Sequence, residues 1–145
     1  MVAALLQIIA ADHVDMCVSN ASFPLSLISV DLFQSAARQA CMVWVKNRVQ
    51  TSYYDPSTLP SAKDGTLAMS DREALKASIL SLLTASSSRA ITAQLGTVLK
   101  IIVQRDFPER WPGFLDEVKR MLTSGDARQI AAGCVASLEC VRAFK

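Results

Sequence analysis

The sequence predicts an all-α protein, an α-solenoid of stacked helical hairpins, and three observations carry that expectation. Apolar residues recur at helical spacing along nearly the whole chain. Strongly apolar helices alternate with more amphipathic ones, as they do when each hairpin buries its neighbour. Breakers such as Ser86-Ser87-Ser88, Pro108 and Gly125 fall between them. With 51% hydrophobic and 19% charged residues, the 145-residue chain is too apolar to be disordered.

Residues 2–14 carry Leu5, Ile8 and Ile9 at helical spacing. Residues 18–34, VSNASFPLSLISVDLFQ, break the pattern: Leu25, Leu27, Val30 and Leu32 nearly alternate, a strand-like arrangement found nowhere else in the chain. We read this segment as an irregular loop inserted between two helices. Ser35 to about Ser52 forms a helix whose apolar and small residues, from Ala36 to Val45, cover more than half the circumference, so it is expected to pack on two sides. Residues 53–69, with two prolines and a glycine, read as a long loop.

Ser70-Asp71-Arg72-Glu73 has the form of a capping box, Ser70 as N-cap and Glu73 reaching back to it. The helix it opens, 70–84, places Leu75, Ile79, Leu82 and Leu83 on one stripe. Ser88 is placed to cap a helix over 89–105, with Ile91, Leu95, Val98, Leu99 and Ile102 in register. Pro108 ends it, lacking an N–H and clashing with the preceding turn. Pro112 suits the first turn of a helix over 112–123 with Phe114, Leu115, Val118, Met121 and Leu122 as its stripe. Gly125 closes that helix and Asp126 can cap the last, 127–144. The strongly apolar helices (35–52, 89–105, 127–144) begin about 54 and about 38 residues apart; the second figure is close to the ~40–47-residue period of HEAT-type repeats, and the long loop stretches the first.

Several classes of function are excluded or disfavoured. The net charge of +2 gives no electrostatic case for nucleic acid or a membrane surface. No run of 18 uncharged apolar residues occurs, and Met1 to Ala11, though apolar, lacks the basic start of a secretory signal. Cys17, Cys41, Cys134 and Cys140 have no Cys-x-x-Cys spacing and read as buried, reduced thiols in a reducing compartment, where the Asn20-Ala21-Ser22 acceptor would not be glycosylated. His13, the single histidine, has no partner at metal-ligand spacing. No histidine–nucleophile pair, Gly-rich phosphate loop or carboxylate cluster points to catalysis or a cofactor.

The motifs carry a family resemblance. Arg38-Gln39-Ala40 followed by Val45-Lys46-Asn47 resembles the R-Q-A…L-K-N pattern of the importin-beta N-terminal region. Gln94-Leu95 followed by Asp106-Phe107-Pro108-Glu109-Arg110-Trp111-Pro112 resembles that family's Q-L…D-Y-P-x-R-W-P run, and Gly133 to Lys145 the G-x-x-x-L…K-x-Y segment after it. Val45 stands where the family has leucine and Phe107 where it has tyrosine. The likeness is nearest to importin-seven-like carriers and covers the chain apart from 18–34. It implies a right-handed superhelix fragment of about two and a half HEAT repeats, lacking the family's first helix.

The residues themselves also admit structural readings. Trp111 is an apolar anchor of the turn, Asp106 and Arg110 a turn-fixing pair, and Asn47 a helix-end hydrogen-bonding group. What the resemblance implies beyond these is a nuclear transport receptor, present in cytoplasm, nucleus and nuclear pores. In such receptors the second helix of each N-terminal repeat lines the concave face where the small GTPase Ran binds in its GTP form. Those helices would be 2–14, 70–84 and 112–123 here, making Arg72, Lys76, Asp116, Lys119 and Arg120 the candidate Ran contacts. Protein cargo, moved into the nucleus, and nucleoporins would engage the remainder of the receptor. The alternative is a helical-repeat scaffold for a protein complex without Ran dependence.

The resemblance also recasts residues 18–34, because removing them restores the family's short helix–turn–helix spacing. Val18-Ser19 can be encoded by a usual intron start and Leu32-Phe33-Gln34 by a usual intron end, so the 17-codon segment reads as a retained intron, with a natural loop insertion as the alternative. A mature transcript lacking these codons is the expected result; one carrying them in good yield would contradict the reading. An uncapped solenoid exposes an apolar face, so the isolated chain is expected to aggregate or fold only in part.

Overall fold

Ser86, Ser87 and Ser88 divide two helices as their sequence requires, and the same logic of periodic stripes and punctuating residues sets the rest of the chain. The computed structural model describes residues 27–53 and 66–145, with side chains from Ser35 onward. Within them lie α1 (Leu27–Ser52), α2 (Met69–Ala85), α3 (Arg89–Asp106), α4 (Phe114–Leu122) and α5 (Ala127–Ala143), and no strand. The helix expected over 2–14, the first part of the 18–34 segment and residues 54–65 lie outside the described residues.

Helix α1 corrects one expectation. It begins at Leu27, so residues 27–34 are helical and not an irregular loop. The same apolar residues that nearly alternate also stand at helical spacing, Leu25, Ile28 and Leu32 being i, i+3 and i+7, and no proline or glycine follows Pro24 to interrupt them.

The capping box is a second correction. α2 starts at Met69 with Ala68 at its N-cap and no side-chain cap bond. Ser70 therefore lies inside the first turn, and Glu73 turns forward to Lys76, 2.7 Å away. The start of α2 is fixed instead by Leu67: its N–H donates to the Ser52 carbonyl (3.0 Å), and its own carbonyl accepts from Arg72 Nε (3.1 Å). Two other caps form as expected. Ser88 Oγ accepts from the Ile91 N–H, and Asp126 Oδ1 accepts from the Arg128 N–H at 2.9 Å. Pro112 precedes α4 instead of opening it, in a turn closed by the Phe114 N–H on the Trp111 carbonyl (3.3 Å), where a missing donor costs nothing.

Helices α1, α3 and α5 pack in sequence as one row, with α2 against α3 and α5 and α4 against α5. α3 is the centre of the core and buries Ile91, Leu95, Val98, Leu99, Ile102 and Val103. α1 contributes Met42, Val45 and Val49, while Trp44 on the same helix is exposed, so the two-sided packing expected of α1 is not complete. In α4 the buried stripe narrows to Phe114, Val118 and Met121; Leu115 and Leu122 are exposed.

Helix α5 inverts the usual size rule. It buries Ala132, Gly133, Ala136, Glu139 and Ala143, and leaves Ile130, Leu138 and Val141 exposed, as is Phe144 just after it. The small residues allow close approach: a Cβ on Gly133 would lie 3.0 Å from Leu122 Cδ2, and one on Gly96 of α3 would lie 3.3 Å from Glu139 Cγ. Stacked helical hairpins of this kind are an α-solenoid fragment, the fold class the sequence predicted.

Candidate protein-interaction surface

Where α1 ends, α2 begins and α3 ends, the chain buries a set of polar groups. Tyr53, inside the segment expected to be loop, follows α1 directly and is buried. Its hydroxyl donates to Asp106 Oδ2 at 2.7 Å. Burial, reinforced by the Asp106 carboxylate, pushes the Tyr53 phenol far above its ordinary range, so it remains a donor. Lys76 Nζ meets the same Asp106 Oδ2 at 3.3 Å, Glu73 Oε1 at 2.7 Å and the Arg110 carbonyl at 3.1 Å. The Arg72 guanidinium lies 4.9 Å from the centroid of the Tyr53 ring, within cation–π range.

This arrangement decides where the candidate partner contacts can be. Arg72 is 5% exposed and Lys76 9%, and both are turned inward onto Tyr53, Leu67, Asp106 and Arg110. They hold elements together and present little surface in this structure. Asp116, Lys119 and Arg120 are all exposed on α4. Arg120, with Glu117 and Met121, forms one wall of a groove of about 480 Å³; Ala77, Leu80, Ser81 and Thr84 of α2 form the other, and Gln129 of α5 also lines it. α2 and α4 thus border one groove and lie on one side of the α1–α3–α5 row.

The motif residues have structural places. Asp106 and Arg110 are joined through the main chain, the Arg110 N–H donating to the Asp106 carbonyl at 2.7 Å, while the Asp106 side chain serves Tyr53 and Lys76. Trp111 is buried with its ring 4.8 Å from that of Phe114, the anchor its sequence position suggested. Pro108 is exposed in the turn after α3. Arg38 and Lys46 are half-buried and Gln39 and Asn47 exposed on α1; at Asn47 it is the carbonyl that accepts a bond, from Thr51 Oγ1 at 3.0 Å.

The cysteines divide by position. Cys41 and Cys140 are half-buried free thiols, whereas Cys134, expected to be buried, is exposed; Cys17 lies outside the described residues. Burial raises the pKa of the Cys140 thiol, which lowers its thiolate fraction near neutral pH. Labelling with a disulfide reagent at pH 8, read by peptide mass spectrometry, should therefore modify Cys134 well before Cys140. Equal rates would contradict this placement. Among the described residues no group of three His, Cys, Asp or Glu could hold a metal ion, and no helix is long and apolar enough to cross a membrane.

No protein-family model and no solved structure matches the chain. Several curated proteins do. The chain is 29% identical to exportin-2 of Xenopus laevis over 119 residues, covering 81% of this chain and 12% of that protein. It is 31% identical over 109 residues to exportin-2 of Homo sapiens and 30% identical over 109 residues to exportin-2 of Danio rerio, each covering 74% of this chain and 11% of the relative. The chain thus spans a small fraction of the length of the curated relatives it matches. Exportin-2 is a karyopherin, so the similarity supports the importin-beta superfamily that the motifs resemble, but not its importin-seven-like branch.

Proposed function

We propose that the chain is part of a karyopherin-type nuclear transport receptor and that it binds Ran in the GTP form through the face shared by α2 and α4. The observation that carries this reading is the exposed, charged face of α4. Arg120 lines the groove, and Asp116 and Lys119 are exposed on the same helix, in a solenoid whose sequence resembles exportin-2. A charged face bordering a groove suits a protein partner whose approach is steered electrostatically. In a receptor of this kind, cargo and the GTPase are coupled by linkage, each changing the affinity of the other by the same factor.

The sign of that coupling sets the direction of transport. An importer releases cargo when Ran-GTP binds, and an exporter takes cargo and Ran-GTP together. The similarity to exportin-2 favours export over the import that the importin resemblance implied. Shuttling between nucleus and cytoplasm, with cargo and nucleoporin contacts made by further repeats, belongs to the same proposal.

The test is a charge reversal on α4. Lys119→Glu with Arg120→Glu should weaken binding to GTP-loaded Ran by roughly tenfold or more, about 1.4 kcal/mol or above, and reduce its salt dependence. The same double change should cost only about 1–2 kcal/mol of stability, because both side chains are exposed and the loss is confined to the last turn of α4. Unchanged affinity in the folded variant would remove α4 from the interface.

A further inference from the structure

We propose that Lys76 is a positioning residue that sets the separation of α2 from α4, and with it the width of the groove between them. Among the described residues the backbones of these two helices do not approach one another closely, although the helices form the two walls of one groove. The bond from Lys76 Nζ to the Arg110 carbonyl, four residues before Phe114, ties α2 to the segment leading into α4, and both helices also pack on α5.

An ammonium group has three N–H donors and no acceptor. Here there are three acceptors around it: Glu73 Oε1 at 2.7 Å on its own helix, Asp106 Oδ2 at 3.3 Å at the end of α3, and the Arg110 carbonyl at 3.1 Å. The three acceptors match the three donors in number, and the side chain is only 9% exposed. The acceptor on α3 is held in turn by Tyr53, the residue after α1, whose Oη lies 2.7 Å from the same Asp106 Oδ2.

The groove wall on α2 starts at the next residue, Ala77, and continues through Leu80, Ser81 and Thr84; the facing wall is Glu117, Arg120 and Met121. A change at Lys76 therefore alters the spacing of the two walls without touching any groove-lining side chain. That this spacing matters for partner binding rests on the function proposed above; the spacing itself does not.

The test measures the spacing directly. Spin labels at Ser81→Cys and Glu117→Cys, in the full chain with Cys17, Cys41, Cys134 and Cys140 replaced by serine, report the width of the groove by double electron–electron resonance. Lys76→Met should shift the distance distribution to longer values and replace a single narrow peak with a broad one. Because Lys76→Met leaves the buried Asp106 carboxylate without its cation, a second variant, Lys76→Met with Asp106→Asn, keeps an acceptor for Tyr53 and no unpaired buried charge. It should fold, as judged by helical circular dichroism, and show the same broadening. A distribution identical to that of the parent in the folded double variant would overturn the proposal. Loss of Ran binding with an unchanged distribution would also overturn it, since Lys76 would then act by some route other than spacing. Failure of the parent itself to bind Ran would count against the proposed function and leave the distance result to decide the role of Lys76.

Discussion

Asp106→Ala should destabilise the protein by about 3–5 kcal/mol, read as a lower midpoint in urea denaturation with little change in slope. The side chain is almost fully buried and is shared by two donors, Tyr53 Oη, just after α1, at 2.7 Å and Lys76 Nζ of α2 at 3.3 Å. Removing it strands a buried hydroxyl and takes the α3 anchor from a buried ammonium. Lys76 keeps Glu73 and the Arg110 carbonyl, which places the loss toward the lower end of that range. Asp106→Asn, which retains an acceptor for Tyr53 but not the charge, should cost less than the alanine. If the alanine variant lost under about 1 kcal/mol, as an exposed pair would, the buried network would not be holding the three helices together.

Phe114→Ala should be comparably costly, about 3–5 kcal/mol. Phe114 is fully buried at the first turn of α4, with the Trp111 ring 4.8 Å away and the Phe107 ring 6.1 Å away in an edge-on arrangement. Its loss would leave a cavity where the D-F-P-E-R-W-P turn meets the helix, and those rings cannot close it without moving the turn. The neighbouring Leu115 is the internal control. It is 50% exposed, so Leu115→Ala should fall within about 0.5 kcal/mol of the parent. Thermal melts of the two variants side by side separate the readings: similar midpoints would mean that α4 does not bury the face described.

The sequence made the architecture legible where a signal was local. Stripes at Ile91, Leu95, Val98 and Ile102 placed α3, and the Ser88 and Asp126 caps marked where α3 and α5 begin. The α1 start was misread because a short apolar run fits period 2 and period 3.6 almost equally well. The Ser70 box failed because a long-range bond between Leu67 and Ser52 set the start of α2 instead of a local cap.

The candidate contacts were harder to read for the same reason. Arg72 and Lys76 border the stripe of Leu75 and Ile79, and nothing local says whether such cations face solvent or bend inward. Their partners lie far along the chain, at Tyr53, Asp106 and Arg110. One clue was present. Asp106 closes α3, and a carboxylate at a helix C-terminus is disfavoured by the helix dipole unless a specific partner compensates. Tyr53, at the edge of a loop-like segment, gave no comparable signal.

The α4 residues could be placed because a nine-residue helix with a single buried face leaves its charges on the other. Asp116, Lys119 and Arg120 are accordingly exposed.

Titration calorimetry of this chain with Ran loaded with GTP and, separately, with GDP tests the central claim most directly. A transport receptor of the karyopherin kind predicts saturable binding to the GTP form and none, or far weaker binding, to the GDP form. Equal affinity for both forms, or no binding to either by the folded chain, would contradict it and favour a helical-repeat scaffold without Ran dependence.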